Sequence, residues 1–309
     1  MSTFNGQQYV TAQLQSILEQ LPDGGQILVR DDGSNDSTVD VIRALQDPRI
    51  GLTIGPNCGF GGSFLTLLAA APADADMVMF ADQDDVWLPG KIERAWAHLQ
   101  AFKAQPALYG SAQMLVDAEL RLLHPTPPWP SGPSLLNALN ENIITGCTAA
   151  LNRSATALMQ KGGVPPGVRF HDWWMYLVIS AFGSVTYDDE PTLLYRQHGG
   201  NQIGHGVGWF GRRWGIVRFL LRNDWVGILL GQVSALWQCY GDQMDVGARA
   251  AILSQFSFPR AVAVPRWRMI FGFSQHRQTL GSELAFRILL LMHRLAVWPL
   301  PGMRLKLGS

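Results

Sequence analysis

Three carboxylates crowd into four residues at Asp82-Gln83-Asp84-Asp85, directly after the apolar run Met77-Val78-Met79-Phe80-Ala81. Carboxylates this close repel one another unless a cation neutralises them. Hard oxygen ligands favour Mg²⁺ or Mn²⁺, ions that usually also hold substrate phosphates. The cluster therefore reads as a metal–diphosphate site. The competing reading is an acidic loop that caps the helix following Pro89, because Asp is common in first helical turns. A second acidic stretch, Asp31-Asp32-Gly33-Ser34, follows another apolar run, and its bland reading is an Asx turn. Gly59-Phe60-Gly61-Gly62-Ser63 offers backbone N–H groups to a phosphate at a helix start, but it lacks the spacing of the P-loop and of the dinucleotide fingerprint. Ser63 as a helix N-cap is the preferred reading there.

The elements that must carry these residues alternate in type. Gln26–Arg30, Gly51–Ile54 and Met77–Ala81 have the length and composition of buried strands. Helical spacing joins Val10, Leu14, Ile17, Leu18 and Leu21, then Val41, Ile42 and Leu45, then residues from Phe64 to about Ala71. Asn5-Gly6 marks a turn before the first helix. Strand–helix alternation predicts an α/β domain with a largely parallel sheet, and both acid clusters should leave its carboxyl edge, where ligands bind in open α/β sheets. The Pro-rich segment Pro125–Pro130 excludes regular helix or central strand. Composition shifts near Gly204 towards Trp, Leu, Arg and Phe, which places a boundary at about residue 205 and predicts a helical appendage.

The chain of 309 residues is 47% hydrophobic and 16% charged, enough for a sizeable core. Lys+Arg 24 balance Asp+Glu 24, which argues against a nucleic-acid binder. Cys58, Cys147 and Cys239 show neither zinc spacing nor an even disulfide set, so a reducing, cytoplasmic setting is expected. No signal peptide and no run of about 20 apolar residues is visible.

Six segments in order, Ser2-Thr3-Phe4-Asn5-Gly6, Arg30-Asp31-Asp32-Gly33-Ser34, Asp82-Gln83-Asp84-Asp85-Val86-Trp87, Thr145-Gly146-Cys147-Thr148, His171-Asp172-Trp173-Trp174 and Tyr195-Arg196-Gln197-His198-Gly199, make the chain resemble a family 2 inverting glycosyltransferase. The branch it most resembles is rhamnosyltransferase-like and builds O-antigen and other bacterial surface polysaccharides. The resemblance covers residues 1–204. It implies a GT-A fold, Rossmann-like and mostly parallel, in that span, with 205–309 as the helical appendage. It implies a nucleotide-sugar donor, dTDP- or UDP-linked, with Ser2, Phe4, Asp31, Asp32 and Asp82 on the donor side. Asp32 would accept from the pyrimidine N–H, since a carboxylate is acceptor-only. Asp82 and Asp84 resemble the family's DxD motif and would hold Mg²⁺ or Mn²⁺ as a Lewis acid at the departing diphosphate, with His198 near the metal or diphosphate. An inverting transfer needs one base to deprotonate the attacking hydroxyl, and Asp172 is the candidate, with His171 able to hold the proton. Gly146, Cys147, His171, Trp173 and Trp174 fall on the acceptor side, the tryptophans either stacking on sugar or packing. Cys147 is not a nucleophile, because a single displacement needs no covalent intermediate.

Two departures stand out. The first strand of such a fold should precede Ser2 as an apolar run of about five residues, and only Met1 stands there. The expectation is an upstream start or a truncated form. The tail interleaves Trp209, Phe210, Trp214, Ile216, Val217, Phe219 and Leu220 with Arg212, Arg213, Arg218 and Arg222, and Phe286 and Ile288–Leu291 with Arg287, His293, Arg294, Arg304 and Lys306. That mixture suits an interfacial helix on an anionic inner-membrane surface, where a polyprenyl-linked glycan acceptor would be carried. It equally suits a helical subdomain whose Arg stems cover apolar surface. Rival functions are a non-catalytic, transferase-like assembly protein and a sugar-phosphate nucleotidyltransferase, though the latter's basic Gly-rich loop is absent.

Overall fold

The structure is a computed structural model and describes residues 1–198, 224–258, 263–272 and 274–297. Parallel pairing dominates its N-terminal part. Strands β1 (Ser2–Thr3), β2 (Ile27–Asp31) and β3 (Ile50–Ile54) form a parallel sheet in that order. The β1 ladder continues through Met1, whose amine donates to Leu28 O at 2.7 Å and whose carbonyl accepts from Arg30 N at 3.0 Å. Helices α1 (Val10–Leu18), α2 (Thr38–Ala44) and α3 (Gly59–Ala70) connect these strands as the spacing predicts, and bury Val10, Leu14, Ile17, Ile42, Phe64 and Leu68.

Helix α3 starts earlier than expected. Gly59 to Ser63 is helical, and Ser63 is a buried interior residue that accepts from Ser2 Oγ at 2.7 Å, not an N-cap. The capping is done from a distance by Asp32, which accepts from Cys58 N at 3.0 Å and Gly59 N at 3.0 Å.

Mixed sheets follow. β4 (Met77–Met79) leads into the acid cluster and on to β5 (Val86–Trp87), α4 (Lys91–Leu99), β6 (Ala107–Ser111), β7 (Met114–Val116) and β8 (Leu122–Pro125). After α5 (Leu135–Ala138) come β9 (Ala150–Asn152), α6 (Arg153–Gly162), α7 (His171–Phe182), β10 (Ser184–Asp188) and β11 (Leu193–Arg196). One sheet has the order β10-β6-β9-β4, with β10 parallel to β6 and β9 antiparallel to both β6 and β4. The other, β5-β11-β7-β8, sets β11 antiparallel to β5 and so returns the chain to the acid cluster. Pro125 ends β8, an edge strand, where a missing N–H costs no ladder bond.

Helix α7 is the axis of the main core. Its residues from Trp173 to Ile179 are all 0% exposed. A helix apolar all round must be surrounded, and here the surrounding elements include α3, α5, α6, β6 and β10. They also include α8 (Trp225–Tyr240), the first of the C-terminal helices, followed by α9 (Val246–Gln255), the short hairpin β12 (Phe256–Ser257) and β13 (Val264–Pro265), α10 (Trp267–Phe271) and α11 (Leu280–Val297). Leu229, Leu236, Ile252, Phe286 and Leu290 belong to the same hydrophobic cluster as Trp173 and Leu177. The expected appendage thus shares one core with the sheet domain. The boundary at residue 205, and the Trp/Arg-rich stretch from Trp209 to Arg222, lie outside the described residues. Among the described residues no helix is long and apolar enough to cross a membrane.

Candidate active site

The two acidic stretches do not share a sheet edge as expected: one follows β2 in the three-stranded sheet and the other follows β4 in a four-stranded sheet, and a glutamine ties the second to the segment after β1. Phe4 N donates to Gln83 Oε1 at 2.8 Å, and Gln83 Nε2 donates back to Phe4 O at 3.0 Å. Gly6 allows this approach, since a Cβ there would lie 2.2 Å from Gln83 Oε1. Gln13, fully buried on α1, donates to Asp82 O at 3.0 Å. The acid-bearing loop is therefore held at both Asp82 and Gln83 by the β1–α1 segment, and Asn5, at φ 50°, makes the turn that Asn-Gly announces.

Four carboxylates gather around this loop. Asp82 is half-buried, and its pKa is pushed up to about 7 by burial and by the charges of Asp84 and Asp172. Burial pushes Asp172 up to about 6, opposed by hydrogen bonds from Trp173 N, Gly146 N and Asn142. Asp172 opens α7, with Trp173 N donating to its Oδ1 at 2.7 Å, so the helix N-terminus faces its carboxylate. Asp85 is fully buried, and its pKa is raised by burial and by Asp82 and Asp84. Asp84 is bonded to His198, Nε2 to Oδ2 at 2.7 Å, with side chains 17% and 20% exposed. The His198 ring stacks on Tyr9 at 5.1 Å, and the Arg196 guanidinium lies 4.5 Å over the same Tyr9 ring. Arg196 also donates to Asp84 O at 2.7 Å and, through its N–H, to Asp85 Oδ1 at 3.3 Å.

These groups fit a divalent cation. Clustered carboxylates with raised pKa are short of positive charge, and Asp85 Oδ2 makes no hydrogen bond. One set of ligand atoms converges here among the described residues. Asp82, Asp85 and Cys147 bring ligand atoms within 4.8 Å of one another. Asp85 and Cys147 are 0% exposed, however, and burial raises the Cys147 thiol well above its usual range. A neutral, buried thiol suits neither a hard cation nor contact with a substrate phosphate. Asp84 and His198, with side chains 17% and 20% exposed, are the more accessible groups beside Asp82.

The structure reassigns several residues. Asp31 is 0% exposed and takes the Asx-turn role, accepting from Ser34 N at 2.8 Å, Gly33 N at 3.2 Å and Thr3 Oγ1 at 2.9 Å. Ser34 Oγ donates as well, at 2.6 Å, so all four lone pairs are taken. Asp32 is 2% exposed, paired with Arg30 and with the N-terminus of α3. Although burial acts to raise its pKa, the Cys58 N–H and Arg30 hold it below the ordinary value. Pairing with a pyrimidine N–H would require Asp32 to release one of these partners. The Ser2 hydroxyl is engaged by Ser63, whereas the Phe4 ring stands 43% exposed beside Gln83.

The residues expected on the acceptor side are all buried, and beside them Asp172 keeps partial exposure. Trp173 and Trp174 are 0% exposed. Trp173 stacks on Trp225 at 5.2 Å and donates to Ala138 O at 2.7 Å, and Trp174 packs near Tyr240 at 6.2 Å. They are core and cannot reach a sugar. His171 is buried against Phe64 at 4.2 Å and Phe80 at 5.7 Å, and burial drives its pKa down to about 3. It stays neutral and holds no catalytic proton. Gly146 is buried against that ring, since a Cβ there would sit 2.6 Å from His171 Nε2. Cys147 lies beneath the acids and does not face an acceptor.

Gln83, Gln13, Tyr9 and Arg196 escaped the sequence reading. Gln83 stands inside the acidic triplet, and Arg196 two residues before His198, so their position was the available signal.

Known proteins place this geometry in context. The profile described as glycosyl transferase family 2 matches residues 1–158. The dTDP-rhamnosyl transferase RfbG of Shigella flexneri is 27% identical over 247 residues, covering 73% of this chain and 80% of that protein. WfgD of Escherichia coli, a UDP-Glc:alpha-D-GlcNAc-diphosphoundecaprenol beta-1,3-glucosyltransferase, is 31% identical over 94 residues, covering 30% of this chain and 36% of its own. Crystal structures of S. aureus TarS 1-349 superpose with TM-scores of 0.52 in complex with UDP-GlcNAc and 0.53 in complex with UDP, both at 14% identity. The first covers 82% of this chain and 77% of TarS 1-349, the second 86% and 95%. At that identity the likeness is one of fold, and it agrees with the expected GT-A architecture. With the family profile spanning more than half of its length, the chain belongs to glycosyl transferase family 2.

Proposed function

We propose that the chain is an inverting, metal-dependent transferase that moves a sugar from a nucleoside-diphosphate donor to a hydroxyl of a surface glycan or lipid-linked acceptor. The observation that carries this reading is electrostatic. Asp172 lies close enough to Asp82 to raise its pKa, yet stands on a different element and keeps its own environment. An acid for the donor and a separate base on a neighbouring element are what a single displacement requires. Asp172 would take the proton of the attacking hydroxyl. Asp82, Asp84 and His198 would hold Mg²⁺ or Mn²⁺, which supplies Lewis-acid stabilisation of the leaving diphosphate. Gln83 and Gln13 keep the loop registered against β1, and the exposed Phe4 ring offers a face to the nucleobase. The likeness to a dTDP-rhamnosyl transferase supports dTDP-rhamnose as the first donor to try.

The test is donor binding and turnover across dTDP- and UDP-sugars, with Mn²⁺, Mg²⁺ or EDTA, in the native chain and in Asp84→Asn. Metal-supported donor affinity is expected to fall at least about tenfold in the variant, the loss of one charge-assisted ligand. Equal affinity in EDTA and in Mn²⁺ would remove the metal from the reading.

A further inference from the structure

We propose that the outer face of α10 and α11 is a docking surface for an anionic lipid bilayer. A helix at a protein's surface ordinarily turns charged residues to water. Helix α11 does the opposite. Leu280, Leu284, Ile288 and Met292, four residues apart, are 74%, 63%, 50% and 52% exposed. At 3.6 residues per turn they run along one side of the helix together with Ala285. The helix's charged groups lie off that arc and are engaged elsewhere. Glu283 is 6% exposed and pairs with Arg287, and the Arg294 guanidinium covers Trp267 at 4.1 Å.

Helix α10 packs on α11 and carries exposed aromatic side chains of its own. Trp267 and Phe271 are 46% and 63% exposed, with rings stacked at 5.7 Å. Exposed Arg266 and Arg268 flank Trp267. An apolar strip beside an aromatic pair and a cationic rim is the arrangement of an interfacial helix.

Charge decides between possible occupants. From Val246 to Ser309 the sequence has nine Arg and Lys residues and one acid, Glu283, in a chain whose overall charge is zero. Glu283 is buried and paired with Arg287, and the charges exposed beside Trp267 are Arg266 and Arg268, so the rim there is positive. A second copy meeting it face to face would bring like charges together. An anionic leaflet attracts the same charges and takes up the apolar side chains.

The surface is separate from the sugar-transfer chemistry, and the test keeps the two apart. The full chain is floated with phosphatidylcholine vesicles, with and without phosphatidylglycerol, at low and high salt. About tenfold more protein should float with the anionic vesicles at low salt, and high salt should reduce it. The double variant Leu284→Glu/Ile288→Glu should lose about tenfold of that binding while keeping its thermal midpoint and its donor turnover in free solution. A second variant, Arg266→Glu/Arg268→Glu, leaves the apolar strip intact and should lose the preference for anionic lipid. Absence of anionic-dependent flotation, or flotation unchanged in both variants, overturns the proposal. A concentration-dependent dimer that the Leu284→Glu/Ile288→Glu variant dissolves, without vesicle binding, overturns it in favour of a second copy.

Discussion

Asp172→Asn is the substitution on which the catalytic reading stands or falls. The side chain keeps its shape, and Trp173 N can still donate to an amide oxygen, so the start of α7 should survive. The ability to take a proton does not. General base catalysis contributes about 10²- to 10⁴-fold in rate, or about 3 to 5 kcal/mol. Transfer should fall by that factor while donor KM stays within about twofold, because the proposed reading gives the donor to the acids on the β4–β5 loop. The native pH profile gives an independent readout. The base acts in its charged form, and burial raises its pKa to about 6. Activity should therefore be full above pH 7 and fall about tenfold per unit below about pH 6, whereas an ordinary aspartate would hold its rate to about pH 4. Asp82 and Asp172 influence each other, so the acidic limb belongs to both unless the metal saturates Asp82. The assay is initial-rate transfer from pH 4.5 to 8.5 at saturating Mn²⁺, with donor affinity measured at each pH. A flat rate down to pH 5, or an Asp172→Asn enzyme within threefold of native, refutes the assignment.

Two further outcomes follow from burial. Trp173→Ala empties a fully buried ring site on α7 and should cost about 3 to 5 kcal/mol of stability; chemical denaturation measures it, and an unchanged midpoint with a raised acceptor KM would restore the sugar-stacking role. Asp85→Asn concerns the pH dependence of stability in EDTA. The folded pKa of Asp85 is raised, so its contribution is present below the unfolded value and is lost as pH rises through the folded one. The variant should raise the thermal midpoint relative to native more at pH 8 than at pH 5, and a shift equal at both pH values rejects the account.

The parts of the fold legible in the sequence were those where local pattern and tertiary role coincide. β2 and β3 lie within a residue of their expected bounds, and α1 starts at Val10, the first residue of its expected spacing, because strand composition and turn chemistry agree there. The start of α3 was hidden for a physical reason. Its first residues are Gly-rich and poor helix formers, and the carboxylate that caps them, Asp32, comes from 26 residues earlier. A cap supplied by another strand leaves no local signature. The sheet strands after β4 mix directions, because β9 inserts antiparallel between β6 and β4, a pairing that no periodicity encodes.

The site shows the same division more sharply. Chemical type points to Asp82, Asp84, Asp172 and His198, but type cannot say which atoms face a cleft. His171-Asp172-Trp173-Trp174 reads as four candidates, and the structure leaves only Asp172 partly exposed. The reason lies in the rest of α7: Met175 to Phe182 has no polar stripe, so the helix has no solvent face, and every side chain beyond its first turn must be core. Only at the N-terminus does the backbone end and a carboxylate gain N–H groups to face. In the proposed mechanism, function at the mouth of α7 depends on what makes its body inert. The packing that seals Trp173, Trp174 and His171 also withdraws Asp172 from water, and that withdrawal lifts an ordinary aspartate into the pH range where a base for a sugar hydroxyl is useful.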